Sequence, residues 1–263
     1  MNEIIWEKKN NIAYITINRP EARNAINAEV WRGLAKAWIN VRDDPEVRVA
    51  IVTGAGDKAF SAGADMKDME KDLEQSITDP VQESIPTMSS IDPLRRLNVW
   101  KPIIAAINGH CLGAGFFVAL SCDIRIAVDK ATFGMPEVTF AMSPGMGVTQ
   151  WLPRLISPNI ALQFLVTGER FDAQEAYRIG LVNKVVPQAE LMSSAEAIAN
   201  RIANNGPVAV KAVKEAIWRG LETNLDEGLH LENTLFQSSL QTEDFKEAIQ
   251  ALSQKRVPVF KGN

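Results

Sequence analysis

Hydrophobic and polar positions follow two different periods along this chain, and the change between them comes near residue 187. Before it, short apolar runs bounded by Gly, Pro, Asn or Asp predict strands. They lie at residues 4–9, 12–18, 47–53, 103–107 and 124–128, with a shorter strand or extended link at 181–186. The first two flank Asn10-Asn11, which predicts a hairpin. After Pro187 only helical spacing is found, over residues 188–204, 207–221, 225–240 and 242–253.

The alternation of strands and helices before this change predicts an α/β core, residues 1–187, followed by a C-terminal helical region, residues 188–263. Helices are also predicted within the core, beginning with one that Asn24 or Asn27 can cap. Strand–loop–helix units recur at 47–67, 103–122 and 124–155. A mobile helix–loop region is predicted for the polar residues 71–98, which three prolines interrupt.

The central segment, residues 102–123, joins a buried strand to a glycine-rich turn and a helix. Its apolar run at 103–107 predicts the strand, and an uninterrupted apolar run predicts a helix that starts near Ala114. Gly113 and Gly115 lie at the junction, where glycine lets another group approach the backbone closely. Because the first N–H groups of a helix lack partners within it and carry partial positive charge, this junction suits a phosphate or a developing oxyanion.

Two nucleotide-binding motifs are partly matched in this chain, and neither is complete. A dinucleotide fingerprint would use Gly113 and Gly115, with Glu137 as its later acid. However, Val118 fills the third position, which needs a small residue, and the segment is not on the first strand. The P-loop pattern fails because Lys58 is followed by Ala rather than Ser or Thr. We favour the oxyanion interpretation, with a glycine pair that serves only tight packing as the alternative.

A second junction of small residues, 61–65, has the sequence SAGAD. It also follows a predicted strand and precedes a predicted charged helix, which begins near Met66. Two junctions of the same kind in one chain make a shared function for them more probable than packing alone.

Composition narrows the class of protein. The 263 residues (29.0 kDa) are enough for one large domain, or one domain with an appendage, and 46% of them are hydrophobic. A net charge of −4 argues against a nucleic-acid or anionic-membrane binder. No apolar run is as long as a membrane span, and the N-terminus lacks a signal-peptide core. We therefore expect a cytoplasmic protein, or an organellar one if a transit peptide has been removed.

Few residues are suited to acid–base, nucleophilic or metal chemistry. The histidines are His110 and His230, no G-x-S-x-G motif is present, and no Cys/His spacing fits zinc, so we expect no metal. Cys111 and Cys122 lie in apolar sequence and are expected to be buried free thiols. Glu137 follows Pro in a largely apolar segment, which predicts a partly desolvated carboxyl with a raised pKa. A salt-bridge or helix-start role for this acid is an equally good interpretation.

Several longer motifs resemble those of the crotonase (enoyl-CoA hydratase/isomerase) family, and together they span nearly the whole chain. They are ITINRPEARNAI, AIVTGAGDKAFSAGADMKDM, KPIIAAINGHCLGAGF, CDIRIA, ATFGMPEV, PGMGVTQWLPR, GLVNKVVP and KRVPVFKG. The resemblance implies a crotonase-type spiral of ββα units with a C-terminal helical region. It also implies a homotrimer, often paired into a hexamer.

The resemblance implies an acyl-CoA substrate, with coenzyme A as part of the substrate and no separate cofactor. The thioester oxygen would be held by the backbone N–H groups of Ala64 and Ala114. The positions that match the family's CoA contacts are Arg23, Ala62, Ala64, Asp65, Met66 and Lys67. Lys255 and Phe260 in the C-terminal tail would reach across a subunit boundary.

One departure from the family pattern bears on the reaction. Of the two hydratase glutamates, Glu137 matches the second, while the first falls on Phe117, which cannot transfer a proton. Phe117 and Met135 would line the acyl pocket, which residues 68–98 would help to shape. We therefore expect Glu137 to act alone, most simply in double-bond isomerisation. The alternatives are a hydratase or hydratase-lyase with one glutamate, and a CoA-binding protein without catalysis.

Overall fold

The computed structural model describes residues 2–66, 68 and 93–263. In chain order its strands are β1 (Ile4–Lys9), β2 (Ile12–Ile17), β3 (Val49–Gly54), β4 (Ala59–Ser61), β5 (Ile103–Ile107), β6 (His110–Leu112), β7 (Ile124–Val128), β8 (Thr132–Gly134), β9 (Phe171–Asp172) and β10 (Lys184–Val186). The predicted helix near Met66 and most of the predicted helix–loop region fall outside the described residues.

The larger sheet has six strands in the order β1-β2-β3-β5-β7-β10. The predicted hairpin is confirmed: β1 pairs antiparallel with β2, and the two asparagines between them take the positive φ angles of a tight turn. All other neighbours in this sheet are parallel. Every residue of β5 is buried, which explains its continuous apolar sequence, since parallel strands are covered on both faces.

The smaller sheet has four strands in the order β4-β6-β8-β9. The sequence pattern predicts none of these four strands. Three of the strands have three residues and β9 has two, which is too short for an alternating pattern to be recognised. In chain order β3, β5 and β7 of the larger sheet are followed by β4, β6 and β8 of the smaller one. The predicted units at 103–122 and 124–155 are therefore confirmed with an added strand, while the helix of the unit at 47–67 lies outside the described residues.

The helices with described residues are α1 (Ala28–Asp43), α2 (Pro93–Arg96), α3 (Ala114–Ser121), α4 (Val148–Leu155), α5 (Pro158–Thr167), α6 (Ala173–Arg178), α7 (Leu191–Ala203), α8 (Pro207–Gly220), α9 (Leu225–Leu240) and α10 (Glu243–Ser253). Of the two candidate caps, Asn27 caps α1, since its side chain accepts the N–H of Val30 at 2.8 Å. Asn24 instead donates to the carbonyls of Ala55 and Ala59, which fixes the loop before α1 to the β3–β4 connection. The start of α3 at Ala114 is confirmed.

The C-terminal helices divide into one that belongs to the core and three that lie outside it. Helix α7 packs across the larger sheet through an alanine face, with Ala195, Ala199 and Ala203 buried in the common core. Helices α8 and α9 pack chiefly on each other, and their outward faces expose large apolar side chains. The domain boundary at residue 187 stays a prediction, because α7 packs with the core although it follows that residue.

Two further expectations concern the thiols and membranes. Cys111 and Cys122 are buried and free, as predicted. Burial raises the pKa of the Cys111 thiol well above its usual value. Among the described helices, none is both long enough and apolar enough to cross a membrane.

Candidate active site

The structure brings the two predicted small-residue junctions into contact. A Cβ atom added to Gly113 would lie 3.6 Å from the Cα of Gly63, and one added to Gly63 would lie 3.7 Å from the Cα of Gly113. Both glycines have positive φ, 106° at Gly63 and 49° at Gly113, which L-residues adopt only with strain. Glycine is therefore required at both positions by conformation and by the close approach.

Each of these glycines is followed by a backbone N–H that has no acceptor in the part of the chain that the structure describes. Ala114 is the first residue of α3, so its N–H has no acceptor within the helix. Ala64 forms a parallel bridge with Ile26, in which the carbonyl of Gly63 accepts from Ile26 and the N–H of Asp65 donates to Ile26. This bridge leaves the N–H of Ala64 out of the pairing. The two predicted donors thus lie on adjoining segments.

Glu137 lies against the same junction. It belongs to a 3₁₀ turn, Pro136–Phe140, that follows β8, and a Cβ atom on Gly113 would come within 3.0 Å of its Oε1. Its Oε2 is buried and has no hydrogen-bond partner among the described residues. Burial raises the pKa of the Glu137 carboxyl above its usual value, and a hydrogen bond to its own backbone acts more weakly in the opposite direction. An unpaired, partly desolvated carboxyl is suited to exchange protons with a bound molecule.

Phe117 lies one helical turn after Ala114 and is 1% exposed. Its ring packs against Trp31 of α1, with 6.1 Å between ring centroids and 58° between ring planes. Met135, just before the turn of Glu137, is also buried. The structure thus places an apolar aromatic pair, not an acid, beside the first turn of α3.

The predicted CoA contacts outside the C-terminal tail lie at or beside the junction of residues 61–65. Arg23 is exposed, and its carbonyl accepts the N–H of Ala62 at 3.0 Å. The carboxylate of Asp65 is bound to Arg19 at 2.9 Å, so a bound molecule would meet its backbone more readily than its side chain. Met66 is 57% exposed. Lys67 lies outside the described residues.

The C-terminal tail lies elsewhere. The carbonyl of Phe260 accepts from the guanidinium of Arg48 at 2.6 Å, and Arg48 directly precedes β3. The chain turns toward the glycine junction only after Gly54, at the other end of this six-residue strand, about 20 Å away. Lys255 is exposed after the end of α10. Phe260 is therefore held near the start of β3, whereas the segment that leads to the site of the same chain follows the end of β3.

His110 contacts a neighbouring strand. It starts β6, and its Nδ1 lies 2.7 Å from the hydroxyl of Thr132 on the neighbouring strand. Burial lowers the pKa of His110, and the nearby charges of Arg170 and Arg23 lower it further. Within the described ranges, no group of three or more His, Cys, Asp or Glu side chains is placed to hold a metal ion.

One hollow near this region is separate from the candidate site. It has a volume of about 710 Å³ and apolar walls that include Val138, Met142, Leu162 and Val166. Neither Gly113 nor Glu137 lines it. It lies on the other side of the 3₁₀ turn that carries the acid, between that turn and helices α4 and α5.

Sequence reasoning missed two residues that contact the site. Trp31 was not singled out, because its position on α1 fits the usual spacing of apolar residues in a helix. Ser61 was noted only as part of the SAGAD segment, yet its side chain is fully buried between the two junctions. A buried polar residue among Ala and Gly was the one available signal for Ser61.

Comparison with known proteins finds matches along nearly the whole chain. The family model described as enoyl-CoA hydratase/isomerase matches residues 7–263. The short-chain-enoyl-CoA hydratase of Clostridium acetobutylicum is 43% identical over 257 residues, which are 97% of this chain and 96% of that one. The (E)-benzylidenesuccinyl-CoA hydratase of Thauera aromatica is 41% identical over 259 residues, 98% and 99% of the two chains. The crystal structure of an enoyl-CoA hydratase from Bacillus anthracis superposes with a TM-score of 0.91 at 38% identity, covering 99% and 100% of the two chains.

Proposed function

The chain belongs to the enoyl-CoA hydratase/isomerase family, and from that premise we propose that it transforms an enoyl-CoA through an enolate bound by Ala64 and Ala114. The observation that carries this proposal is the meeting of three segments at one point. The Gly63 and Gly113 backbones touch, and the carboxyl of Glu137 lies against Gly113. Two N–H donors and one acid are thus available to the same thioester.

The two N–H groups supply electrostatic stabilisation. As the enolate forms, negative charge moves onto the thioester oxygen, which the N–H groups of Ala64 and Ala114 would bind. The backbone fixes both donors before the reaction, so little reorganisation is needed as the charge appears. Each donor of this kind contributes on the order of 3 kcal/mol to lowering the barrier.

Hydration is the reaction that we propose first. The relatives described above are named as hydratases, and one carboxyl is chemically sufficient for this reaction. Ionised Glu137 would take a proton from water as the water oxygen attacks the β-carbon, which gives the enolate and a neutral carboxyl. Glu137 would then deliver that proton to the α-carbon. The product is a 3-hydroxyacyl-CoA, and the carboxylate is regenerated.

Double-bond isomerisation is the second candidate, favoured by Phe117. The aromatic pair of Phe117 and Trp31 places no acid or base beside the first turn of α3, and its apolar surface disfavours an ordered water there. Glu137 would remove an α-proton from a 3-enoyl-CoA, and the enolate would be held by the same two N–H groups. Return of the proton to the γ-carbon gives the 2-enoyl-CoA.

The CoA moiety is proposed to lie along residues 62–67, beside the backbone of the junction at residues 61–65 and the exposed side chain of Met66. Arg23 forms no ion pair with any other described residue and is available for a phosphate. We therefore expect CoA or an acyl-CoA to raise the melting temperature through preferential binding to the folded state. No thermal shift and no calorimetric signal at millimolar acyl-CoA would contradict the acyl-CoA assignment as a whole.

A homotrimer or hexamer is proposed as the working assembly. The outward faces of the C-terminal helices carry large apolar side chains at more than half exposure, among them Ile217, Leu229 and Phe236. Patches of this kind mark interaction surfaces. In such an assembly Phe260 and Lys255, which lie away from their own chain's site, would contact acyl-CoA bound to a neighbouring subunit.

One experiment separates the candidate reactions and tests the acid. Purified protein is given a trans-2-enoyl-, a 3-enoyl- and an aromatic enoyl-CoA, and products are identified by mass spectrometry in deuterated water. We expect 3-hydroxyacyl-CoA as the main product, and Glu137→Gln should lower turnover by roughly 10²–10⁴-fold, the usual contribution of a general acid–base group. The matched control is Glu7→Gln, at an exposed position on β1.

Other outcomes assign the chain differently. Exchange of substrate protons for deuterium, together with migration of the double bond and without hydration, would identify an isomerase. Full turnover in Glu137→Gln would show that the acid lies elsewhere. Tight acyl-CoA binding without turnover of any substrate would indicate the non-catalytic CoA-binding alternative.

A further inference from the structure

The side chain of Ser61 contacts both junctions that carry the proposed enolate-binding donors. Ser61 is the last residue of β4 and is 0% exposed. Its Oγ accepts the backbone N–H of Gly63 at 3.3 Å. A Cβ atom on Gly115 would lie 2.5 Å from the Cβ of Ser61 and 2.7 Å from its Oγ, so the Gly115 backbone is packed directly on this side chain.

The two contacts of Ser61 are each one residue from a donor. Gly63 precedes Ala64, and Gly115 follows Ala114. One small side chain therefore fills the space between the two peptide segments and orients one of them by a hydrogen bond. A larger residue at position 61 would separate the segments, and a residue without a hydroxyl would leave the buried N–H of Gly63 without its acceptor.

We propose that Ser61 is a positioning residue for the enolate-binding site, with its Oγ fixing the Gly63–Ala64 peptide and its packing on Gly115 fixing the spacing to Ala114. This inference rests on the proposed function, because it needs both N–H groups to bind the thioester oxygen. Ser61 itself does not touch the substrate. Its effect is on the alignment of the donors.

Misalignment of the two N–H donors should affect the enolate more than the neutral thioester. A carbonyl oxygen accepts weaker hydrogen bonds than an enolate oxygen, so misaligned donors weaken the charged state more than the neutral one. Small displacements at a reacting centre can lower rates by up to about 10²-fold. We expect Ser61→Ala to lower kcat by roughly 10-fold or more, with KM changed much less.

The test compares Ser61→Ala with Ser121→Ala. Ser121 lies at the far end of α3, where its hydroxyl donates to the carbonyl of Phe117 at 3.0 Å, and it has no part in the proposed site. Two ligands are titrated into each protein: butyryl-CoA, which cannot readily form an enolate, and acetoacetyl-CoA, whose enolate is followed by its ultraviolet absorbance.

The expected pattern is specific. Ser61→Ala should bind butyryl-CoA as wild type does, yet show a lower enolate fraction of bound acetoacetyl-CoA and a lower kcat, while Ser121→Ala matches wild type throughout. Equal loss of butyryl-CoA binding and enolate signal would mean a merely structural role and would overturn the inference. So would a Ser61→Ala enzyme with wild-type kcat and enolate fraction.

Failure of the proposed function gives a different result. If wild-type protein binds acetoacetyl-CoA without any increase in enolate absorbance, the N–H groups of Ala64 and Ala114 do not stabilise an enolate. The role of Ser61 would then fall with the proposed function. A wild-type enolate signal that Ser61→Ala leaves unchanged removes only the role of Ser61.

Discussion

The Oε1 of Glu137 lies 3.0 Å from the point that a Cβ atom on Gly113 would occupy. The acid therefore lies directly against the residue that precedes the helix, and even a methyl group at position 113 would be tight against its carboxyl. Gly113 has a φ of 49° and a ψ of −123°, a combination that L-residues rarely adopt. A side chain at position 113 would therefore press on the proposed acid directly before the proposed N–H donor of Ala114.

Gly113→Ala tests this relationship. The added methyl group would press on Glu137 and strain the backbone, so we expect turnover to fall by about 100-fold or more. Gly180→Ala is a matched control, because Gly180 also has positive φ (79°) but has no atom within 4 Å of an added Cβ. This control should lose about 1 kcal/mol of stability and keep its activity. Equal activity loss in the two variants would attribute the effect to backbone strain rather than to the contact with Glu137.

The raised pKa of Glu137 predicts a pH-dependent difference in stability between wild type and Glu137→Gln. Below the ordinary glutamate pKa, about 4.3, the carboxyl is neutral in both the folded and the unfolded state. As the pH rises through the folded-state value, the folded protein must ionise a partly buried group, and wild type loses stability relative to the unfolded chain. The Glu137→Gln variant has no ionisable group at this position and should not lose stability in this way.

We therefore expect the melting temperature of Glu137→Gln to exceed that of wild type at pH 8 and to approach it near pH 4. Thermal unfolding at several pH values measures this, with Glu7→Gln as the exposed control. A variant less stable than wild type at pH 8 would mean that the ionised carboxylate is favourably bound in the folded protein. Burial would then not be the dominant influence on the pKa of Glu137.

Phe117→Glu tests whether the aromatic pair determines the reaction. The new carboxyl would restore the acid that the family pattern has at this position, and the share of hydration over isomerisation should rise. Because Phe117 is 1% exposed and packs on Trp31, the substitution should also destabilise the fold, by roughly 3–5 kcal/mol. Phe117→Leu, which keeps an apolar side chain, should leave the product ratio unchanged. An unchanged ratio in folded Phe117→Glu would show that Phe117 does not set the reaction.

The exposed apolar faces of the C-terminal helices predict the assembly. Light scattering should give a mass that is a multiple of three times 29.0 kDa. Ile217 on α8 and Leu229 on α9 are each more than half exposed, and replacing both by Asp should yield smaller species, since a charge in an apolar interface is strongly unfavourable. A monomeric wild type at micromolar concentration would contradict this and would remove the proposed role of Lys255 and Phe260 across subunits.

Local patterns were enough to predict several elements. The asparagine turn of the hairpin, the buried strand β5 and the start of α3 at Ala114 each depend on residues close together in the chain. Turn conformation and hydrophobic period act over a few residues, so the sequence alone determines them. For the cap of α1 the sequence left Asn24 and Asn27 open, and the structure shows that Asn27 is the cap. The Phe in place of an acid at position 117 is also visible without any structure.

The tertiary structure decided the features that depend on distant residues. Short strands such as β4 and β6 are defined by their partners rather than by their own three residues. The contact of Gly63 with Gly113, the burial of Ser61 between the two junctions, and the docking of Phe260 on Arg48, 212 residues away, have no local signature. Sequence determined which backbone conformations are allowed at each junction, whereas only long-range packing determined that the junctions and Glu137 meet at one point.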